Sequence, residues 1–485
     1  MELMIPLQNQ PGLPYYSQIY SFIKAEIGKG NLKPASRLPS TRLLAEHLKV
    51  SRSTTQMAYE QLLSEGYIES VPYKGYFVLN IDGLVKTGQD QKEQSAGRQA
   101  FLGVSDSGRE KTAQKWVVDF SPRGIDLAAF PFNTWRKISK NTLVDDNREM
   151  FMPGDPKGEL PLREAIGAYL HSARGVSCLP EQIIVGAGNE YLLMLLSRVL
   201  GTDRIIAMEN PTYKQAYRVF ESLSYQVVPT SMDKSGMDVK LLEKSGADIA
   251  YVMPSHQYPT GIVMPVKRRQ ELLSWTYEKE NRFLIEDDYD SEFRYKGKPI
   301  PALQGMDEKD RVIYCGTFSK SIAPAIRVSY MVLPKVLLPL YEEKAGFYAS
   351  TVSRIDQNIL CRFMLEGHYE RHLNRMRKVY KAKHDVLVGG LKAFESQFLV
   401  RGEYAGLHIL LTDKDKRSED ELVEKAKKMG IKVYRMSGYF IHEKANDWPS
   451  TVVLGFASLT EKEIGEGLKL LKQAWSVPCR EESDG

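Results

Sequence analysis

A stretch without apolar periodicity, at residues 81–115, divides this chain of 485 residues. It begins IDGLVKTGQDQKEQSAGRQ and is rich in Gly, Ser, Gln and charged residues. Such a composition cannot bury enough apolar surface to offset the entropy of ordering it, which predicts a flexible linker. A long surface loop within one domain is the alternative, but loops of this length are uncommon. The chain is therefore expected to form two separate parts, residues 1–80 and 116–478.

Composition argues against several classes of protein. Apolar residues make up 42% of the chain, yet no stretch approaches the roughly 20 uncharged apolar residues of a bilayer span. The N-terminal MELMIPLQNQPGLPYY lacks the basic and then apolar layout of a secretory signal. The four cysteines are scattered without metal-type pairing, which predicts no metal site and favours a reducing compartment. We expect a cytoplasmic protein without a membrane segment.

The net charge is too small to indicate a partner. Lys and Arg number 66 against 61 Asp and Glu in the chain, and eight against six in residues 1–80. A nucleic-acid interface must therefore be argued from the placement of individual residues.

The first eighty residues carry the pattern of three helices followed by a hairpin. An isoleucine at every fourth position of Ile19–Ile27 predicts a first helix. Ser40 is the expected N-cap of a second helix, and a third is expected to begin at Ser51. Two β-type runs, 67–71 and 76–79, flank the turn signal PYKG. This order predicts a winged helix-turn-helix.

The third helix has one face that suits a DNA major groove. That outward face is expected to carry Arg52, Gln56 and Tyr59. The opposite, inward face is expected to carry Thr54, Ala58 and Leu62. Recognition helices contact bases mainly through their N-terminal residues, here Ser51, Arg52, Ser53 and Thr54.

Two further basic residues extend the predicted DNA surface. Arg42, on the preceding helix, is a candidate phosphate clamp, and Lys74, at the hairpin tip, is a candidate for the backbone or minor groove. Taken alone, the periodicity leaves open a solvated face on a helical interaction module.

After residue 115, apolar runs alternate with helical segments. The runs are Gln182–Val185, Arg204–Met208, Ile249–Met253, Phe283–Ile285 and Val312–Tyr314. The helical segments include Leu162–Ala173 and Tyr191–Leu200. This alternation predicts a mostly parallel sheet covered on both faces, with ligands at the carboxyl ends of its strands.

One lysine, Lys320, follows the last of these runs in YCGTFSKSIAPAIRVSY. A lysine amine forms a Schiff base with an aldehyde, and pyridoxal phosphate is an aldehyde cofactor. Thr317 and Ser319 flank Lys320, and Arg327 offers a bidentate guanidinium, so all three are candidate phosphate ligands. A surface lysine in a loop is the alternative.

Other segments offer the remaining contacts of such a cofactor. A strand-turn-helix at Gly188 and Asn189 presents backbone N–H groups to an anion, although an ordinary βα loop would look the same. Asp287, at a strand end, is a candidate for the ring nitrogen, unless the acids there are helix caps. Tyr289 is a candidate for the phenolic oxygen, and Tyr213 for ring stacking or simple loop packing.

Two resemblances sharpen these predictions. The run LKPASRLPSTRLLAEHLKVSRSTTQMAYEQLLSEGYIESVPYKGYFV resembles the GntR-type winged helix-turn-helix. It implies DNA contacts at Arg42, Arg52, Ser53, Thr54, Gln56 and Lys74. From about Val118 to Ala474, GTFSKSIAPAIRVSY, EDDYDSEF and PTGIVMP resemble fold-type I aminotransferases.

The second resemblance implies a role for each cofactor residue. Lys320 would form the Schiff base, Asp287 would pair with the pyridine nitrogen, Tyr289 would meet the phenolic oxygen and Tyr213 would stack. The phosphate ligands would be Gly188, Asn189, Thr317, Ser319 and Arg327. The implied fold is an α/β transferase of fold type I with a small C-terminal α+β subdomain.

The two halves in this order resemble the MocR/GabR subfamily of GntR regulators. That resemblance implies a homodimeric transcription regulator that binds operator DNA and senses an amino acid, an amine or pyridoxal phosphate itself. An aminotransferase with a DNA-binding head is the first alternative, and an interaction module with an inactive cofactor site is the second.

Three departures from the aminotransferase pattern bear on the chemistry. Tyr258 stands where Asn-Pro-Thr-Gly has its asparagine, with His256 or Gln257 as possible substitutes and a structural histidine as the alternative. The segment FMPGDPKG lacks the tyrosine that reaches a partner's phosphate. Val453 stands where an arginine grips the substrate carboxylate, and Arg435 or Arg218 are candidate replacements. Efficient transamination of ordinary amino acids is therefore not expected.

Overall fold

The structure, a computed structural model, describes residues 5–7, 14–72, 74–79, 116–143, 148–295, 300–442 and 448–477. The chain divides into two compact units, Met1–Gln114 and Lys115–Gly485. The predicted linker at 81–115 lies outside the described residues.

The N-terminal unit contains the predicted helices and hairpin. Its elements are α1 (Tyr15–Gly28), α2 (Thr41–Leu48), α3 (Arg52–Ser64), β1 (Ile68–Val71) and β2 (Gly75–Val78). The isoleucine stripe of α1 is buried, and the Ser40 side chain caps α2 by accepting from the backbone N–H of Leu43 at 3.2 Å. The predicted order of elements is confirmed.

The inward face of α3 differs from the prediction at two positions. Thr55 is buried in place of Thr54, and its hydroxyl donates to the carbonyl of Thr41 at 2.8 Å, which ties α3 to α2. Tyr59 is also fully buried, so its placement on the outward face was wrong. Its hydroxyl donates to the carbonyl of Pro39 at 3.0 Å, so the ring fills the core while its polar end stays satisfied.

The C-terminal unit alternates strands and helices, as predicted. The strands of its large sheet are β4 (Ile183–Gly186), β5 (Ile205–Asn210), β6 (Gln226–Asp233), β7 (Gly236–Met237), β8 (Ile249–Val252), β9 (Phe283–Asp288), β10 (Val312–Thr317) and β11 (Ser329–Val332). Its helices are α4 (Phe132–Leu143), α5 (Leu160–Arg174), α6 (Asn189–Leu200), α7 (Lys214–Ser222), α8 (Val239–Lys244), α9 (Val266–Tyr277), α10 (Leu338–Lys344), α11 (Arg354–Leu365), α12 (His368–Leu391), α13 (Glu419–Lys428) and α14 (Glu461–Ala474).

The large sheet has the strand order β4-β11-β10-β9-β8-β5-β6-β7. From β10 to β6 the neighbouring strands are parallel, whereas β11 is antiparallel to both of its neighbours. The central strands are buried along their whole length, because apolar clusters cover both faces of the sheet. Their carboxyl ends therefore meet at one edge.

A smaller antiparallel sheet lies near the C-terminus and completes an α+β subdomain. Its strands are β12 (Phe398–Arg401), β13 (His408–Asp413), β15 (Tyr434–Arg435) and β16 (Thr451–Gly455). Their order is β12-β13-β16-β15, and a separate parallel pair joins β3 (Val118–Asp119) to β14 (Ile431–Lys432). The segment after residue 116 is thereby attached to this subdomain.

A buried ion pair supports the acidic end of β9. Arg174 donates through Nε to Asp288 at 2.8 Å, and both side chains are almost fully buried. The Tyr314 hydroxyl donates to the same carboxylate at 2.5 Å. The Asp288 carboxylate is therefore held by contacts within the unit and has a structural role.

None of the helices within the described ranges has the length and apolar character needed to traverse a bilayer. In the same part of the chain, no group of three or more His, Cys, Asp or Glu side chains is arranged to hold a metal ion.

Removal of Arg174 should destabilise the C-terminal unit. Arg174→Met leaves the Asp288 carboxylate buried without its cation, which should lower the free energy of unfolding by about 3–5 kcal/mol. All five tryptophans belong to this unit, so tryptophan fluorescence during urea unfolding measures its stability selectively.

Lys381→Met is the matched control, because Lys381 and Asp385 form an exposed pair on α12. Its loss should cost less than about 1 kcal/mol. Equal unfolding midpoints for the two variants would contradict the role given to Arg174.

Candidate functional site

A cavity of about 330 Å³ opens at the edge where the parallel strands end. Every predicted cofactor-binding residue except Gly188 lines it: Asn189, Tyr213, Asp287, Tyr289, Thr317, Ser319, Lys320 and Arg327. Asp287 and Thr317 lie in the last two positions of β9 and β10, and the others follow β4, β5, β9 or β10 or precede β11. The sheet topology therefore brings together residues that are far apart in the sequence.

Lys320 stands just after β10, with its amine directed to a neighbouring loop. The Nζ atom donates to the carbonyl of Arg123 at 3.1 Å and approaches that of Pro122 at 3.4 Å. Burial lowers the pKa of Lys320 to about 8, with Asp290 acting to raise it and Arg123 to lower it. The uncharged, nucleophilic form of the amine is therefore accessible near neutral pH.

The alternation of side chains along β9 separates its three carboxylates. Glu286 and Asp288 point away from the cavity: Glu286 accepts from the backbone N–H groups of Leu303 and Gln304 at 2.9 and 2.8 Å. Asp287 lines the cavity and is the only one of the three that does.

Two neutral donors hold the Asp287 carboxylate. Tyr251 donates its hydroxyl and Asn189 its amide, the latter at 3.2 Å, to Oδ2. Burial raises the pKa of Asp287 to about 7, and the Asp288 and Asp290 carboxylates also act to raise it, whereas the two hydrogen bonds act to lower it. A cation at this position, such as a protonated ring nitrogen, would stabilise the ionised carboxylate.

Three aromatic rings shape the wall of the cavity. The rings of Tyr213 and Tyr258 meet edge to face, with centroids 6.1 Å apart, and Tyr258 makes a similar contact with Tyr289 at 5.8 Å. The Tyr258 hydroxyl donates to the hydroxyl of Tyr439 at 3.1 Å. Tyr213 thus has the exposure and support that a stacking residue requires.

The hydroxyl of Tyr289 contacts an imidazole behind the cavity wall. Its oxygen lies 2.9 Å from Nδ1 of His256, and the same Nδ1 lies 2.9 Å from Oδ2 of Asp290. His256 and Asp290 are both buried. Sequence reasoning named His256 but missed Asp290 and the contact between them.

Another part of the cavity places a guanidinium against a glycine at the start of a helix. Gly188 precedes α6 with φ +99°, and a Cβ there would lie 2.1 Å from Nη2 of Arg327. Only glycine lets the guanidinium come so close to the backbone. Arg327 also pairs with Glu190 at 2.8 Å, a neighbour that sequence reasoning missed.

Hydroxyl groups lie in and beside this part of the cavity, where Thr317 and Ser329 line it and Thr351 does not. Thr317 accepts from the backbone N–H of Ser319 at 3.1 Å and from the hydroxyl of Ser329 at 2.9 Å. Thr351 accepts from the backbone N–H of Ala187 at 2.9 Å. Ser329 lies within GTFSKSIAPAIRVSY but was given no role there, and Thr351 belongs to no motif recognised in the sequence.

These residues match the functional groups of pyridoxal phosphate. The amine, the buried carboxylate, the phenol and the Arg327 guanidinium all line the same cavity, and the glycine at 188 leaves space that a side chain would fill. The fit between the site and this cofactor therefore rests on the chemistry of the donor set.

The position of the missing carboxylate-binding arginine is closed by apolar packing. Val453 is fully buried on β16 beside Leu410, Met436 and Phe440. Arg435 pairs with Asp420 at 2.8 Å, on a partly exposed surface.

Neither candidate replacement borders the cavity. Arg435 and Arg218 are both absent from its lining, and Arg218 is exposed on α7. Arg123 does line it, and sequence reasoning did not consider this residue.

The predicted DNA-binding residues lie on the surface of the N-terminal unit. Exposed side chains are those of Arg42, Ser51, Arg52, Ser53, Gln56 and Lys74, and Thr54 is partly exposed. The Ser51 hydroxyl caps α3 by accepting from the backbone N–H of Thr54 at 3.2 Å, so Arg52 stands in its first turn. The end of α3 that meets DNA bases in recognition helices is thus polar and accessible.

Comparison with known families agrees with this division. The model of aminotransferase class I and II matches residues 126–471, and the model of bacterial regulatory proteins of the gntR family matches residues 15–78. YdeL of Bacillus subtilis, an uncharacterized HTH-type transcriptional regulator, is 40% identical over 98% of this chain and 100% of its own length. MocR of Rhizobium meliloti, a probable rhizopine catabolism regulatory protein, is 32% identical over 97% of this chain and 96% of its own.

The chain belongs to the MocR/GabR subfamily of GntR-family transcription regulators. Among solved structures, the C-terminal unit of this MocR/GabR-type regulator is similar to a kynurenine aminotransferase of Pyrococcus horikoshii. The TM-score is 0.67 at 26% identity, over 80% of this chain and 98% of the aminotransferase. The predicted fold class is confirmed for both units, and the fold implies dependence on pyridoxal phosphate.

The lowered pKa of Lys320 predicts unusual reactivity in this MocR/GabR-type regulator. Only the neutral amine is nucleophilic, so acetylation of Lys320 in protein free of cofactor should reach half its maximal rate near pH 8. Ordinary lysines require a pH near 10.4. Competitive labelling across a pH series, followed by mass spectrometry of the Lys320 peptide, gives the profile.

The other lysine peptides in the same digest serve as internal controls. If the Lys320 profile coincided with theirs, the effect assigned to burial would be contradicted.

Proposed function

We propose that this regulator controls transcription in response to a small amine that enters a pyridoxal phosphate site in its C-terminal unit. One observation carries the proposal: a cavity with a reactive lysine and a buried carboxylate occurs in a chain that also has a GntR-type DNA-binding unit. The cofactor, the effector and the named contacts are proposals that this combination supports.

When bound, pyridoxal phosphate supplies an aldehyde that reacts with primary amines. Lys320 would hold its carbonyl carbon, Asp287 would hold the proton on the ring nitrogen, and Tyr289 would donate to the phenolic oxygen. Tyr213 would cover one face of the ring. The proposed phosphate ligands are Gly188, Asn189, Thr317, Ser319 and Arg327.

Asn189 would act through its backbone rather than its side chain. Its amide group already donates to Asp287, which fixes the orientation of that carboxylate. Its backbone N–H stands at the start of α6, where helix N–H groups and the helix dipole favour an anion.

We propose Arg123 as the ligand for an acid group on the effector. Its guanidinium has no hydrogen-bond or ion-pair partner among the described residues, whereas Arg327 is paired with Glu190. Arg123 belongs to the loop whose carbonyls meet the Lys320 amine, so an amine that reaches Lys320 is close to it. The effector class is therefore a primary amine that carries a carboxylate or a similar anion.

We propose further that the protein acts in the cytoplasm as a homodimer on operator DNA. Phe151, Met152 and Phe347 are large apolar side chains left exposed in the C-terminal unit, which supports a subunit contact. Two DNA-binding units on a symmetric dimer would read two half-sites. The effector would alter transcription by its different affinity for two arrangements of the dimer.

An aminotransferase with a DNA-binding head is the second candidate. The intact set of Lys320, Asp287 and Tyr289 favours it, and so does the likeness to an aminotransferase structure. Val453 speaks against full turnover, because its side chain lies in an apolar cluster. Steady-state production of keto acids from several amino acids would support this candidate over a sensor.

Substitution of Arg52 should weaken DNA binding and leave the cofactor site unchanged. Arg52→Ala removes the longest exposed side chain in the first turn of α3 and should reduce operator affinity by about 1–3 kcal/mol, or roughly 5- to 150-fold. Titration of operator DNA, selected from random duplexes, measures the effect at fixed salt concentration.

Lys29→Ala is the control for charge, because Lys29 is exposed at the end of α1, outside α2 and α3. Its effect should be small. Unchanged affinity of Arg52→Ala would count against the assignment of α3.

Substitution of Lys320 should separate cofactor chemistry from DNA binding. Lys320→Ala should abolish the visible band of the lysine-bound cofactor and the response to effector, and keep effector-free operator binding. Arg123→Ala should keep the band and weaken the response to amines with an acid group by about tenfold or more.

Spectra and DNA-binding titrations with a panel of amines, with and without an acid group, provide the measurements. Amines without an acid group should act equally on the wild type and on Arg123→Ala. A normal effector response from Lys320→Ala would contradict the proposed sensor.

A further inference from the structure

Tyr289, His256 and Asp290 form a buried chain that leads away from the cavity. The Tyr289 oxygen and both carboxylate oxygens of Asp290 lie within 3.2 Å of a single atom, Nδ1 of His256. The side chains of His256 and Asp290 are only 2% and 3% exposed. Tyr289 alone among the three lines the cavity.

The donor and acceptor roles in this chain follow from chemistry. An ionised carboxylate only accepts, so Nδ1 of His256 must carry the hydrogen that it shares with Asp290. This holds for the neutral Nδ1–H tautomer and for the imidazolium alike. Nδ1 then has no lone pair to accept the Tyr289 hydroxyl hydrogen. That hydrogen has two acceptors left, the cavity and the Asp290 carboxylate, whose hydrogen bond acts to raise the pKa of Tyr289. The Nδ1–H of His256 occupies Asp290 and so competes with Tyr289 for it.

The imidazole is held closely in this orientation. Gly406 has φ +78°, and a Cβ there would lie 1.9 Å from Cε1 of His256. A Cβ on Gly261 would lie 3.6 Å from Nε2, an atom with no hydrogen-bond partner among the described residues. Gly406 thus leaves space that the ring occupies, and Gly261 lies at ordinary contact distance on its Nε2 side.

Tyr258 does not supply a second donor to the cavity. It stands where aminotransferases have an asparagine that donates to the phenolic oxygen, but its hydroxyl donates to Tyr439 at 3.1 Å. Of the other two tyrosines on this wall, Tyr213 is assigned to ring stacking, which leaves Tyr289 as the proposed donor. The direction of its hydroxyl hydrogen then decides whether the phenolic oxygen receives a bond.

We propose that His256 and Asp290 are a positioning pair that fixes Tyr289 as the hydrogen-bond donor to the phenolic oxygen of pyridoxal phosphate. By orienting Tyr289, the pair would compensate for the absent asparagine that donates to the phenolic oxygen in aminotransferases. This inference rests on the proposed function, since it requires the cofactor in this cavity.

Asp290→Asn tests the pair, because an amide donates where a carboxylate accepts. Nδ1 of His256 would then become an acceptor, and the Tyr289 hydroxyl would turn toward it and away from the cofactor. A hydrogen bond to the phenolic oxygen favours its anionic form. Its loss should raise the pH at which the visible band of the bound cofactor changes, by about one unit.

The combination with Tyr289→Phe distinguishes positioning from general damage. Tyr289→Phe alone should give a similar upward shift, and the double variant should add nothing to it, since both changes remove the same bond. His256→Phe is the second route should Asp290→Asn fail to fold, because Tyr289 would then donate to Asp290 and the same shift should appear.

His384→Gln is the matched control. His384 is also buried and contacts a carboxylate, that of Asp385, but it lies on α12 and outside the cavity lining. It should leave the pH profile unchanged. Other charged or titratable groups near Tyr289 are Asp287, Lys320, Arg123, Tyr258 and His408, and all are present in every variant.

The possible results distinguish failure of the positioning pair from failure of the proposed pyridoxal phosphate site. Absence of any visible band in wild-type protein given pyridoxal phosphate would overturn both. A normal band with a wild-type profile in Asp290→Asn and His256→Phe would overturn the positioning pair alone. Additive shifts in the variant that combines Asp290→Asn with Tyr289→Phe would also overturn the positioning pair. They would show that Asp290 affects the cofactor independently of Tyr289.

Discussion

The alternation of side chains along β9 is the constraint on which the candidate site depends. Consecutive residues of a strand point to opposite faces, so only Asp287 of three successive carboxylates lines the cavity. Glu286 and Asp288 are taken up by backbone N–H groups and by Arg174 on the other face. A shift of one residue in this strand would present the wrong carboxylates and bury the right one.

Helices and strands whose buried residues recur at one regular spacing could be predicted from the sequence. The isoleucines of α1 and the apolar runs of the parallel strands identified their elements, since one buried face or two buried faces leave a regular signal. The same reasoning placed Tyr59 wrongly on the exposed face of α3, because its ring is apolar while its hydroxyl is polar. A hydroxyl that finds a backbone carbonyl is compatible with the core, and sequence spacing carries no sign of that partner.

Contacts between distant loops could not be predicted. Arg123 reaches the site through a loop 197 positions from Lys320 in the sequence, with no periodicity or motif around it. Asp290 and His256 are separated by 34 positions, and only the neighbouring strands β8 and β9 bring them together. The residues that the motifs did identify are those next to strand ends, where parallel topology alone determines the neighbourhood.

The packing around Val453 limits how this scaffold could change its chemistry. An arginine introduced there would have to leave water and enter a layer formed by Leu410, Met436 and Phe440. An arginine that binds a substrate carboxylate from this position would therefore require several coordinated replacements in the small sheet. A single substitution of Val453 by arginine would therefore destabilise the small sheet before it provided a carboxylate ligand.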